Sequence, residues 1–101
     1  MLQIEVIKSL CKDETIVITE HLLTRMRQRK IKLNDIKFSI INGEIIKQYP
    51  TDMPFPSCLI NGENLHIVCS IGEGNLYIIT AYRPSPEQWE DGGRKRKEET
   101  I

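Results

Sequence analysis

Two histidines, a row of arginines and a tyrosine–arginine pair are the residues of this chain best suited to acid–base and phosphate chemistry. His21, Arg25 and Arg29 recur at i, i+4 and i+8. On a helix they form one stripe that drifts about 40° per step. Arginines one turn apart can hold a phosphate through paired hydrogen bonds. The same spacing also suits a solvated basic face, which is what most helical charge runs are. His21 adds a titrating group near the helix start, where the dipole disfavours its charged form and poises it as a base.

His66 sits in a stretch that alternates apolar and polar positions, so it reads as a mid-strand residue sharing a face with Val68 and Ser70. It is either a satisfied sheet histidine or a general acid–base group. A regular turn at Gly72–Asn75 would pair Ile71 with Leu76 and place His66 on the face of Tyr77, Ile79 and Ala81. Tyr82 would then point the other way, and a β-bulge would reverse that assignment. Tyr82 and Arg83 close the last strand, where a phenol can donate a proton and a guanidinium can stabilise a phosphoryl oxyanion.

Cys11, Cys58 and Cys69 are an odd, scattered set, expected to be free and buried. With His66 they match no zinc spacing, so neither a metal site nor a cofactor is expected. Net charge is zero, so any pull on nucleic acid has to come from local clusters. Two exist: Arg25, Arg27, Arg29, Lys30 and Lys32, and the run Arg94-Lys95-Arg96-Lys97.

The elements that position these residues follow from periodicity. One helical stripe covers residues 2–12. Ile16–Ile18 is a brief extended piece. Thr19 is an N-cap for a helix over Glu20–Lys30, and a third helix covers Leu33–Asn42 with Gly43 following it. The period then changes to two, giving strands at Ile45–Tyr49, from Ser57, at Leu65–Ile71 and at Leu76–Tyr82. Between the first two strands lies Tyr49-Pro50-Thr51-Asp52-Met53-Pro54-Phe55-Pro56-Ser57. Its three prolines exclude helix and central strand, and its apolar residues exclude a flexible linker; it reads as a rigid loop. Ser85-Pro86-Glu87-Gln88 is a capping box that starts one more helical turn carrying Trp89.

The expected fold class is therefore α+β, with N-terminal helices packed on one face of a small antiparallel β-meander of about four strands. Residues 1–93 form one domain and 94–101 a flexible basic/acidic tail. With 40% apolar and 28% charged residues, composition is ordinary for a globular protein. No run is long enough for a bilayer, and Met1-Leu2-Gln3-Ile4-Glu5 lacks the features of a signal peptide, so a cytoplasmic location without membrane contact is expected. Composition sets no oligomeric state.

The order His21-x-x-x-Arg25-Met26-x-x-Arg29, Asn42-Gly43-Glu44-Ile45-Ile46, the proline loop, Leu65-His66-Ile67-Val68, and Ile79-Thr80-Ala81-Tyr82-Arg83-Pro84 with Trp89 resembles one family. It is the small bacterial and archaeal family of domain of unknown function 4258, over about residues 16–97. Lys32, where such proteins often have a capping Ser or Thr, and Gly92-Gly93 are the departures. The helices-then-sheet layout is similar to compact toxin ribonucleases of the RelE and barnase-like kind. That resemblance implies the toxin half of a toxin–antitoxin pair, with RNA as substrate and an antitoxin protein as partner. The corresponding expectation is a metal-independent endoribonuclease with His21, His66 and Tyr82 as acid–base groups and Arg25, Arg29 and Arg83 on phosphates. The alternative is a non-catalytic protein-interaction module docking through the sheet face and the proline loop.

Overall fold

The computed structural model describes residues 1–97. Three helices come first: α1 (Ile4–Ser9), α2 (Glu20–Arg29) and α3 (Leu33–Ile41), with β1 (Ile16–Ile18) between α1 and α2. Four longer strands follow: β2 (Glu44–Tyr49), β3 (Ser57–Gly62), β4 (Leu65–Gly72) and β5 (Asn75–Tyr82). Two short strands, β6 (Trp89–Glu90) and β7 (Lys95–Arg96), form a separate ribbon. No helix among the described residues is long and apolar enough to cross a membrane.

The α+β class stands, and the sheet needs a correction. It has five strands in the order β1-β5-β4-β3-β2, and β1 runs parallel to β5, so the sheet is mixed rather than purely antiparallel. Ile16-Val17-Ile18 is too short to announce a strand by its own periodicity. It becomes one because Ile16 pairs with Leu76 and Ile18 with Ile78 along the exposed side of β5. The meander β2–β5 is antiparallel as expected.

Local chemistry explains the helices. Thr19 caps α2, its hydroxyl accepting from the Leu22 N–H at 3.1 Å. Thr19→Ala is expected to cost about 1 kcal/mol, read as a lowered thermal midpoint with unchanged secondary structure. Lys32 at the N-cap of α3 lacks an acceptor, and Asp35 instead accepts from the Lys32 N–H at 2.9 Å. Leu22 and Met26 of α2, Ile36 and Ile40 of α3 and Ile7 of α1 are buried in one cluster. Facing them are Cys58 and Ile60 of β3, Ile67 and Cys69 of β4, and Leu76, Ile78 and Ala81 of β5. The helices thus cover one face of the sheet.

Register decides which residues reach the other face. Ile71 pairs with Leu76 as the turn predicts, but a β-bulge at Ile79 shifts the remainder, so that Val68 opposes Thr80 and His66 opposes Tyr82. The bulge reverses the regular-turn expectation: Tyr82 shares the face of His66, and Ala81 joins the core. A second irregularity lies in β2, where Ile45 opposes Ile60 and Lys47 opposes Leu59. Lys47 and Tyr49 therefore lie on the face of Leu59 and Ser57, away from the helices.

The proline loop joins β2 to β3 as expected. Asp52 accepts a hydrogen bond from Ser57, and Phe55 stacks on Tyr77 with ring centroids 5.9 Å apart. After β5 the chain makes a single hydrogen-bonded turn on Ser85, whose carbonyl accepts from the Gln88 and Trp89 N–H groups. The capping-box proposal is met to that extent only: Trp89 begins a strand, not a helix. Lys95 and Arg96, placed in a tail by the sequence, pair back on Glu90 and Trp89. The rest of the expected tail, 98–101, lies outside the described residues.

Candidate functional site

Polar and aromatic residues gather on the sheet face that the helices leave open. His66 is fully buried there. Trp89 of the ribbon packs edge-on against it at 4.4 Å, and the Tyr82 ring lies edge-on at 5.4 Å. Its two ring nitrogens have different partners: Nε2 is 2.7 Å from the Gly93 carbonyl and Nδ1 is 3.2 Å from the Tyr82 hydroxyl. A carbonyl can only accept, so Nε2 carries the hydrogen. Burial pushes the His66 pKa down, partly offset by the Gly93 contact. The neutral ring then offers Nδ1 as acceptor to the Tyr82 O–H. Tyr82 is half-buried, and burial pushes its phenol up.

The ribbon is held over this pair by its Gly92-Gly93 turn. The Asn61 side-chain amide donates to the Gly92 carbonyl at 3.1 Å, and Asn61 is the cross-strand partner of His66, which meets the Gly93 carbonyl. Gly93 has φ +87°, and a Cβ there would stand 2.7 Å from Asn61 Oδ1, so both conformation and space call for glycine. Beside the ribbon runs a groove of about 370 Å³. Lys47 and Tyr49 of β2, Leu59 of β3 and Tyr82 of β5 line one part, and Trp89, Arg94, Lys95 and Arg96 the other. The Lys47 ammonium lies 5.5 Å from the Tyr49 ring centre and the Arg96 guanidinium 5.9 Å from that of Trp89.

The residues singled out by sequence do not converge on one site. His66 and Tyr82 meet on the open face. His21 and Arg25 are exposed on α2 in the helix layer, and Arg25 donates to Gln28 at 3.3 Å. Arg29 reaches the sheet edge and donates to the Ala81 carbonyl at 2.9 Å. Arg83 donates to the carbonyls of Arg29 and Lys30, closing the C-terminal end of α2. Lys47, Asn61, Trp89 and Gly93 were not among the sequence-based candidates. Period-two alternation in β2 was the available signal for Lys47; nothing local announced the ribbon.

Away from this face, Cys58 and Cys69 oppose each other across β3 and β4 with sulfurs 3.9 Å apart, while Cys11 is half-buried; all three are free. A separate apolar cleft of about 710 Å³ lies beside the proline loop, lined by Val17, Met53, Phe55, Tyr77 and Ile79 among others.

The buried neutral histidine has a measurable consequence. Unfolded, its pKa returns to about 6.5, so between that value and its lower folded value the unfolded chain binds more protons. His66 therefore makes stability fall as pH drops below about 6.5. Thermal unfolding at pH 7.5 and 5.5 should show a loss on acidification that is smaller in His66→Gln; equal losses would remove His66 as its source.

An α+β domain with helices on one sheet face and an aromatic, cationic groove on the other is the class of structure defined by these features. Residues 18–83 match the family model described as Domain of unknown function (DUF4258), and the chain belongs to that family. No curated protein and no solved structure matches the chain. The matched segment holds His66 and Tyr82 and ends before the ribbon.

Proposed function

We propose that the domain binds single-stranded RNA in the groove beside the ribbon and acts on it as a toxin-like, metal-independent endoribonuclease. The observation that carries this reading is the Tyr82 hydroxyl, hydrogen-bonded to a neutral His66 in a groove with aromatic walls and cations. Stacking surfaces with adjacent positive charge are how proteins hold single strands. Tyr49 and Trp89 supply the rings; Lys47, Lys95 and Arg96 supply charge for phosphates.

The chemistry uses these side chains, the Gly93 carbonyl and a water molecule. The ribose 2′-OH gives its proton to the Tyr82 oxygen as the tyrosine proton passes to His66 Nδ1. The 2′-oxygen bonds to the adjacent phosphorus, the bond to the 5′-oxygen breaks, and the departing oxygen takes a proton from a water molecule, whose hydroxide is neutralised by the proton that the Tyr82–His66 pair then gives back. The Gly93 carbonyl favours the imidazolium so formed, and the cations favour the phosphorane charge. His21 and Arg25 take no part in this step.

The test is binding and cleavage of mixed RNA oligonucleotides by the purified protein, with chelator present, over a range of salt. Three phosphate contacts predict a slope of about −2 in log affinity against log salt. Tyr82→Phe should keep binding and lower cleavage by about a hundredfold or more. Binding without cleavage would leave an RNA-binding module; absence of binding at low salt would sink the reading. A protein-interaction module would then be the better account. It is favoured by the apolar cleft, where Met53 is 86% and Ile79 49% exposed, and an antitoxin-like protein would be its partner.

A further inference from the structure

The cleft beside the proline loop, about 710 Å³, differs in chemistry from the groove and shares no lining residue with it. Val17, Phe55, Tyr77 and Ile79 give it apolar walls, and among the described residues only Asp52 brings a charge to its lining. That carboxylate is held in place by its own loop. One oxygen accepts from the Ser57 hydroxyl, and the Asp52 N–H donates to the Tyr49 carbonyl at 3.3 Å. The second oxygen makes no hydrogen bond or ion pair among the described residues. Ser70 opposes Ser57 across β3 and β4 and is only 5% exposed, yet its hydroxyl has no partner among the described residues. It is not sealed off, because Asn61 Oδ1 is the only side-chain polar atom there that is both sealed and unpartnered. The Ser70 hydroxyl therefore opens into the cleft that Ser70 lines. The aromatic wall is preset as well. Phe55 lies so close over Gly72 that a Cβ there would collide with its ring, and it stacks on Tyr77. A site formed in advance has little ordering cost to offset on binding.

The lining sets the sign of the ligand. A carboxylate with a free oxygen beside apolar walls favours a cation, and no Lys, Arg or His lines the cleft to compete for it. The hydroxyls of Thr19, Ser70 and Tyr77 can donate or accept, so they suit either sign. An ammonium group has three N–H donors and no acceptor, which matches Asp52 and the Ser70 hydroxyl together. A bare metal ion would leave the apolar walls uncovered, whereas the volume lies in the range of small-molecule sites. We infer that this cleft binds a small organic amine, its ammonium on Asp52 and Ser70 and its aromatic or aliphatic body against the apolar walls. The site lies toward the opposite end of the open sheet face from His66, and it stands whether or not the groove takes RNA.

NMR titration of the isotope-labelled protein tests it with three fragments of one shape: phenethylammonium, phenethyl alcohol and hydrocinnamate. The ammonium should bind in the millimolar range or tighter and shift the amide signals of Asp52, Phe55, Ser70 and Tyr77. It should bind about tenfold more tightly than the alcohol, the size of one hydrogen bond to a charged group, and hydrocinnamate should bind least. Ethylammonium has the charge without the body and should leave these signals in place at the same concentration. Asp52→Asn keeps an acceptor for Ser57 and, checked for folding by its thermal midpoint, should bring the ammonium-to-alcohol ratio close to one. Ser70→Ala should lower that ratio severalfold. Equal affinity for the ammonium and the alcohol would overturn the inference and leave an apolar docking face for a protein segment. Tighter binding of hydrocinnamate, a preference retained in full by Asp52→Asn, or no binding of the ammonium would overturn it too. None of these outcomes bears on RNA binding in the groove.

Discussion

Gly62→Ala is expected to destabilise the domain by about 2–3 kcal/mol, the upper part of the range for overpacking. The added methyl would lie 2.4 Å from Ser39 Cβ, 2.5 Å from Ser39 O and 2.7 Å from Ser39 Cα. Ser39 is buried, and two of those three atoms belong to the backbone of α3, so no rotamer change relieves the contact. Helix α3 would have to lift from β3. A Cβ added at Gly43 would likewise stand 2.4 Å from the Ser39 carbonyl, so this turn of α3 is approached closely at both glycines. Urea denaturation gives the answer as a lower midpoint at unchanged slope. A loss below about 0.5 kcal/mol, the level of an ordinary surface change, would mean that α3 is not seated on the sheet as described.

The second large effect belongs to Trp89. Trp89→Ala should weaken single-stranded RNA binding by about tenfold to a hundredfold, corresponding to one lost base stack. The same change strips the edge-on cover from His66. Stability should therefore fall as well, and binding must be measured well below the variant's own thermal midpoint. Trp89→Phe keeps a ring for stacking and should recover most of the affinity. If alanine and phenylalanine variants both bind like the parent, the ribbon contributes no stacking surface and the RNA site must be sought elsewhere.

The helices and the meander were legible because each is specified by neighbours in sequence. Thr19 caps the residues that follow it, and the apolar stripe of Leu22 and Met26 repeats at helical spacing. The features without a local signature depend on distant partners. Ile16–Ile18 carries no alternation, and only its docking along β5 makes it a strand. Ile79 looks like any other β-former in Leu76–Tyr82, yet as a bulge it decides whether Tyr82 joins His66 or the core. The ribbon was hidden for a further reason: Gly92-Gly93 reads as a stop signal, whereas in the folded chain it is a turn held by Asn61 and His66. Of the candidate pairings, His66 with Tyr82 is thus a product of register. The stripe His21–Arg25–Arg29 was visible at once, and in the structure its last member is committed to a backbone carbonyl.

The parallel pairing of β1 with β5 also says something about how the chain assembles. Strands β2 to β5 are joined by short connections and can zip together from local contacts. Ile16 meets Leu76 only after about sixty intervening residues have been arranged, because the strand that receives it is the last of the sheet. Closing so long a loop has a substantial entropic cost, and it is recovered only when a preformed edge is waiting. The N-terminal strand should therefore dock late, on a meander already in place. Its backbone hydrogen bonds, including the Leu76 N–H to the Thr15 carbonyl at 2.8 Å, should gain protection from solvent exchange after those between β3 and β4 during refolding.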